Sequence, residues 1–138
     1  MKTVLLIFSL ALTGASAENS DNELFVILTS ADEETQMMAM VLATQAAEQG
    51  TDLRILLCSD AGKLAIRGLD SKKLEPSEKS PGDLLSALMN RGVKVEVCRL
   101  FIPNHFYIRS DLVDGVSQAD PAEVANFMMR PNVRLLTF

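Results

Sequence analysis

The sequence predicts an α/β fold of three layers, in which helices cover both faces of a mostly parallel sheet of four or five strands. Short apolar runs of strand length alternate along the chain with amphipathic helical segments. Glycine follows two of the predicted helices, as is typical of helix ends. The 138 residues, of which 48% are hydrophobic, suffice for one core but not for two. We therefore expect a single domain.

The first strand and the first helix are predicted from one continuous segment. The run Leu24–Thr29 is wholly apolar apart from its last residue, as expected for a strand covered on both faces. Ser30 and Glu33 have the spacing of a capping box, and Gly50 supplies a stop, so a helix is expected over residues 31–49. A stripe of larger apolar side chains is expected to cover the sheet, namely Met37, Met38, Val41 and Leu42.

The second and third strands are predicted over Leu53–Cys58 and Lys94–Cys98. A polar surface loop, 68–79, lies between them, after a helical turn expected near residues 61–67. The helix before the third strand is expected to begin at Ser80 and to end at Gly92, with one apolar face formed by Leu84, Leu85, Leu88 and Met89.

Beyond the third strand the pattern predicts an irregular lobe. A helical turn is expected near residues 110–114, and a short strand near 115–117 would be the fifth. A further helix begins at Asp120 and ends before Pro131, and the last strand covers Val133–Leu136. Part of the lobe's apolar surface is expected to be covered by another subunit, the alternative being packing against the chain's own helices. The side chains concerned are Phe101, Ile102, Phe106 and Tyr107.

The N-terminal residues read as a secretory signal peptide rather than as part of the fold. A positive charge at Lys2 precedes an apolar run, and Ala15 and Ala17 have the small-residue spacing of a cleavage site. We expect residues 1–17 to be removed, 18–138 to form the domain, and the mature protein to be periplasmic or secreted. The apolar run is too short to span a bilayer, so no membrane span is expected in the mature chain.

Composition excludes several function classes. The formal net charge is −5 and no cluster of Lys and Arg is present, so a nucleic-acid partner is not expected. One histidine and no pair of cysteines at metal-ligand spacing argue against a structural zinc site. The segment Asp60–Leu64 lacks the first glycine and the final hydroxyl residue of a phosphate-binding loop. We expect neither a metal nor a cofactor.

Both cysteines, Cys58 and Cys98, close a predicted strand at the edge where parallel sheets gather reactive groups. Three interpretations stay open: a small buried side chain, a Cys58–Cys98 disulfide if the two strands are neighbours, or a nucleophilic thiol. Arg99 is the adjacent cation that would stabilise a Cys98 thiolate. His105, seven residues beyond Cys98, is a weaker candidate for its base.

The order of these segments resembles the DsrE/DsrF-like family over nearly the whole mature chain, from about Leu24 to Phe138. The most specific matches are the stretch GVKVEVC that ends at Cys98 and the LVDGV at residues 112–116. The resemblance implies a small α/β protein that relays sulfur as a cysteine persulfide and assembles into oligomers. By position, Cys98 matches the cysteine treated as the active thiol in many relatives, and Cys58 is a second candidate or structural.

The resemblance also has departures. Many relatives carry a further cysteine shortly after the active one, but the segment 99–103 has none, and Pro103 is expected to interrupt a helix there. Export would require that any sulfur donor or acceptor protein be extracytoplasmic. If the thiol is active, the resemblance implies a sulfurtransferase-like carrier rather than an enzyme with turnover. The alternative is a non-enzymatic binding or oligomeric assembly module with structural cysteines.

Overall fold

A computed structural model describes residues 22–138, so the expected signal peptide lies outside the described residues. The described chain forms one sheet of five parallel strands in the order β4-β3-β2-β1-β5. The predicted fold class is confirmed. The strands are β1 (Glu23–Leu28), β2 (Asp52–Leu57), β3 (Lys94–Val97), β4 (Ser117–Gln118) and β5 (Val133–Thr137).

Within residues 22–138, four α-helices and two 3₁₀ helices connect the strands. Two of the predicted helix starts are confirmed in detail. Ser80 and Asp83 form a reciprocal capping box, and Asp120 accepts hydrogen bonds from the backbone amides of Ala122 and Glu123. The α-helices are α1 (Glu33–Glu48), α2 (Pro81–Asn90), α3 (Phe101–Asn104) and α4 (Pro121–Met128), and the 3₁₀ helices cover Ser59–Ala65 and Arg109–Asp111.

Helix α1 departs from its prediction at its start and on its buried face. Its N-cap is Asp32, whose carboxylate accepts from the amide of Thr35 at 2.7 Å, whereas Ser30 only accepts from the amide of Asp32. The predicted stripe of larger side chains is wrong: Met38, Val41 and Leu42 are exposed and Met37 is half-buried. The side chains that face the sheet are Gln36, Ala39, Met40 and Ala43.

The spacing of these four residues is that of one helix face, and the alanines among them let the helix backbone approach the strands closely. The same face meets α2, whose Leu85 and Leu88 are buried as predicted.

The two faces of the sheet carry cores of unequal size. Val26, Ile55 and Val95 belong to the larger core, which also contains buried residues of α1 and α2. The smaller core on the other face joins Phe25 and Leu56 to half-buried side chains of α4, among them Phe127. Alternation along each strand therefore places successive side chains in different environments.

The lobe after β3 is built largely from its own packing. Phe101 and Ile102 are buried in the larger core, so the expectation that a second subunit covers them is wrong. Tyr107 is half-buried against the same core, whereas Phe106 is 95% exposed. Pro103 lies inside the short helix α3 rather than interrupting one, because the first turn of a helix does not need its missing N–H.

Within residues 22–138, no helix is both long enough and apolar enough to cross a membrane.

Candidate functional site

The two cysteines lie side by side at the carboxyl edge of the sheet. Leu57 of β2 is in register with Val97 of β3, and Cys58 and Cys98 directly follow these residues. The amide of Cys98 donates to the carbonyl of Leu57 at 2.8 Å, and the amide of Cys58 donates to Leu28 at 2.9 Å. Both thiols are free and half-buried. The neighbouring strands that a disulfide would need are thus present.

The environment of Cys58 opposes its ionisation. Burial, then the negative charge of Cys98, then a hydrogen bond with Cys98 raise the pKa of the Cys58 thiol to about 12. At neutral pH Cys58 therefore stays protonated beside Cys98. A thiolate, not a thiol, is the nucleophile in sulfur chemistry, so this environment disfavours Cys58 as the nucleophile.

An apolar groove of about 500 Å³ opens beside Cys98. It runs between the ends of β2 and β3 and helix α4, and apolar side chains supply most of its lining. Among the residues that line the groove, Arg99 is the one with a positive charge. The groove is lined by Leu56, Cys98, Arg99, Leu100, Ala119, Pro121, Val124, Ala125 and Met128.

Arg99 is exposed and held in place through its backbone. Its carbonyl accepts from the side-chain amide of Gln118 at 3.0 Å, and Gln118 also accepts from Arg109. Among the described residues the guanidinium of Arg99 has no hydrogen bond or ion pair. A cation that is not neutralised by a carboxylate remains able to attract an anionic group at the groove.

His105 lies in a different setting from the one expected of a base for Cys98. Its ring stacks on Phe101, with 4.5 Å between the ring centroids. Lys63, and to a smaller extent His105, lower the pKa of the Asp60 carboxyl. The structure thus places His105 with Asp60 and Phe101, and it shows no contact between His105 and Cys98.

Two backbone features position the thiols. Cys58 is the last extended residue of its segment, and Ser59 then adopts a φ of 51°, which turns the chain sharply into the 3₁₀ helix. In that helix a Cβ added to Gly62 would lie 2.5 Å from the ring of Phe101. Glycine is therefore required at position 62 for the two segments that follow the cysteines to pack together.

No group of three or more metal-ligating side chains occurs in the part of the chain that the structure describes. A second cavity of about 520 Å³ lies at the amino edge of the sheet, away from the thiols. Its lining carries both signs of charge and no cysteine. Since the nucleophilic groups lie at the carboxyl edge, the groove beside Cys98 is the better candidate site.

Sequence reasoning missed one charged cluster between β2 and β3, where Arg54 and Lys94 line the second cavity. Arg54 of β2 and Glu96 of β3 are both buried, with 2.6 Å between Nε of Arg54 and Oε2 of Glu96. Lys94 contacts the other carboxylate oxygen at 3.0 Å, and Arg54 stacks over the ring of Phe127. The sequence did contain a signal for this ion pair: each of the two predicted strands carries charges in its interior, and the charges are of opposite sign. The structure makes these two strands neighbours.

Comparison with known proteins identifies a family and structures of similar fold. A model of the DsrE/DsrF-like family matches residues 22–136. The crystal structure of the YchN protein from E. coli aligns with a TM-score of 0.72 and 23% identity, covering 85% of this chain and 99% of that one. A protein of unknown function from Methanobacterium thermoautotrophicum, MTH1491, aligns with a TM-score of 0.63 and 12% identity over the same shares.

A curated relative is also similar in sequence. The uncharacterized protein MJ0760 from Methanocaldococcus jannaschii is 28% identical over 115 residues, which is 82% of this chain. The chain spans 42% of the length of that relative. At these identities the solved structures support the fold, and the function has to be argued from the site.

Proposed function

Because the chain belongs to the DsrE/DsrF-like family, we propose that it receives sulfur as a persulfide on Cys98 and passes it to a partner. The observation that carries this proposal is the thiol pair at the carboxyl edge. One member, Cys58, is kept protonated by its surroundings, and the other, Cys98, opens into a groove that the cation of Arg99 also lines. A reactive cysteine needs such access and such a neighbour.

The transfer consists of two displacements on sulfur. The Cys98 thiolate attacks the terminal sulfur of a donor persulfide, so that a new S–S bond forms and the donor leaves as its thiolate. An acceptor thiolate then attacks the terminal sulfur on Cys98, and Cys98 leaves as thiolate. Arg99 would stabilise the anionic sulfur in both steps. The chain ends each cycle unchanged, so it acts as a carrier.

Intact mass measurement tests the proposal directly. Mature protein taken from its native compartment is expected to carry one additional sulfur on a fraction of the chains. A reductant should remove that mass, since a persulfide is a reducible S–S bond. Protein that is never heavier by one sulfur, even after incubation with an inorganic polysulfide, contradicts the carrier function.

We extend the proposal to the compartment in which sulfur is handled. The composition of residues 1–17 supports export, and the donor and acceptor would then be extracytoplasmic. N-terminal sequencing of the exported protein is expected to find Glu18 first. A protein that keeps Met1 and stays with the cytoplasmic fraction would contradict both the signal peptide and the proposed partners.

The second candidate is a non-enzymatic binding or assembly module, and one observation favours it. Three large apolar side chains of the lobe are exposed, Leu100 by 68%, Phe106 by 95% and Ile108 by 64%. Large apolar side chains exposed within one short segment favour a surface that another chain covers. Light scattering at micromolar concentration is expected to show a homo-oligomer, and Phe106→Ser to shift it toward monomer. A wild-type monomer would contradict self-association.

A further inference from the structure

We propose that Cys58 is the resolving thiol of Cys98: it displaces the terminal sulfur of a Cys98 persulfide as sulfide and leaves a disulfide between the two residues. This inference rests on the proposed persulfide. Sulfur that no acceptor collects would then leave the protein as sulfide.

The strand register makes the two residues neighbours on adjacent strands. Neighbouring strands lie about 4.8 Å apart, and a disulfide needs Cα atoms separated by about 4.4–6.8 Å. Cys58 and Cys98 follow the paired residues Leu57 and Val97, and a 2.8 Å hydrogen bond from Cys98 to Leu57 holds the two strand ends together. The two thiols also interact with each other, as the raised pKa of Cys58 reflects. A disulfide would therefore join residues that are already neighbours on adjacent strands.

The reaction balances without an external oxidant. The Cys58 sulfur attacks Sγ of Cys98, a Cys58–Cys98 S–S bond forms, and the bond from Sγ of Cys98 to the terminal sulfur breaks. The terminal sulfur leaves with the electron pair and takes up the proton lost from Cys58, so the product is hydrosulfide. Two electrons pass from the cysteine sulfurs to the sulfane sulfur. An external dithiol then reduces the disulfide and restores both thiols.

The environment of Cys58 sets the rate of this discharge. Because burial raises the pKa of the Cys58 thiol and persists when Cys98 carries the persulfide, the Cys58 thiolate is scarce at neutral pH and the attack is slow. An acceptor at the groove therefore has time to collect the sulfur first.

Few charged groups surround Cys58. In the turn that follows it, Asp60 pairs with Lys63; α4 and its neighbours contribute apolar contacts to Cys58; and beyond Cys98 stands the exposed Arg99. The rate should rise with pH between pH 7 and 9, since burial raises the pKa of the Cys58 thiol and its thiolate fraction grows as the pH approaches that pKa.

The test follows sulfur after loading. Full-length protein is incubated with sodium tetrasulfide and desalted, and free sulfide and intact mass are then measured over time. For the wild type we expect one sulfide released for each persulfide lost, and chains two hydrogens lighter than the dithiol form. Peptide mapping should place that disulfide between Cys58 and Cys98. Release should be first order and unaffected by dilution, as an intramolecular step requires.

Variants separate this inference from the proposed function. Per loaded chain, Cys58→Ser should lose its persulfide at least tenfold more slowly, whereas Asp60→Asn, a nearby change that keeps both thiols, should match the wild type. Cys58→Ala provides the same comparison if the serine variant does not fold. Equal discharge in wild type and Cys58 variants, or wild-type discharge without the disulfide, overturns the resolving role and leaves the carrier function standing. Wild-type protein that takes up no sulfur would contradict both the resolving role of Cys58 and the carrier function.

Discussion

Cys98→Ser is expected to abolish sulfur loading, with no additional sulfur found by mass after treatment with polysulfide. The hydroxyl of serine is nearly isosteric with the thiol but is not ionised at neutral pH and forms no persulfide. Position 98 is half-buried at the end of β3, so the substitution should leave the fold intact. Circular dichroism and urea unfolding of the variant beside the wild type check this control.

Cys58→Ser provides the matched comparison, because it removes the neighbouring thiol and keeps the one at the groove. A Cys98→Ser variant that still takes up sulfur would end the carrier hypothesis in this form. If the two residues instead form a structural disulfide, either substitution should lower the free energy of unfolding by a similar amount, about 2–4 kcal/mol. A reductant would make those two losses vanish, which distinguishes that case.

Glu96→Ala is expected to give the largest loss of stability, about 3–5 kcal/mol, because it leaves the Arg54 charge buried without its partner. The side chains of Arg54 and Glu96 are 9% and 3% exposed. Nη2 of Arg54 already has no hydrogen-bond partner among the described residues, so Glu96 is its main compensation. Urea unfolding of wild type and variant measures the difference.

Two further variants identify the origin of that loss. The double variant Arg54→Met with Glu96→Leu removes both charges and should lie within about 1–2 kcal/mol of the wild type, since apolar replacements of buried ion pairs are often neutral or stabilising. Glu123→Ala, which removes an exposed partner of Lys94, should change stability by less than about 1 kcal/mol. A single Glu96→Ala variant as stable as the wild type would contradict the burial argument.

Local rules predicted most of the fold. The apolar runs of β1, β2 and β3 and the caps at Ser80 and Asp120 are decided by neighbours in sequence, and their predicted positions agree with the structure to within about a residue. The buried face of α1 was not predictable in the same way. Its outer residues are larger and more apolar, but close approach of helix to sheet selected the smaller face with Ala39 and Ala43.

The site was predicted in part. That Cys58 and Cys98 close strands was visible in the sequence, and parallel topology then places both at one edge. Their adjacency depends on the strand order, which the sequence does not specify. The ion pair of Arg54 with Glu96 depends on it too, because it joins two strands whose pairing is decided by tertiary structure. The packing of His105 on Phe101 is instead a local contact between residues four apart in the sequence.

The strand order has a consequence for synthesis of the chain. β1 lies between β2 and β5, and β5 follows every other helix and strand in the sequence. Until β5 has been made, the emerging polypeptide exposes one side of β1 as an open edge that carries Phe25, Val26 and Ile27. Unpaired apolar edges are templates for aggregation. A chain truncated before Val133 is therefore expected to aggregate rather than to form a smaller folded protein.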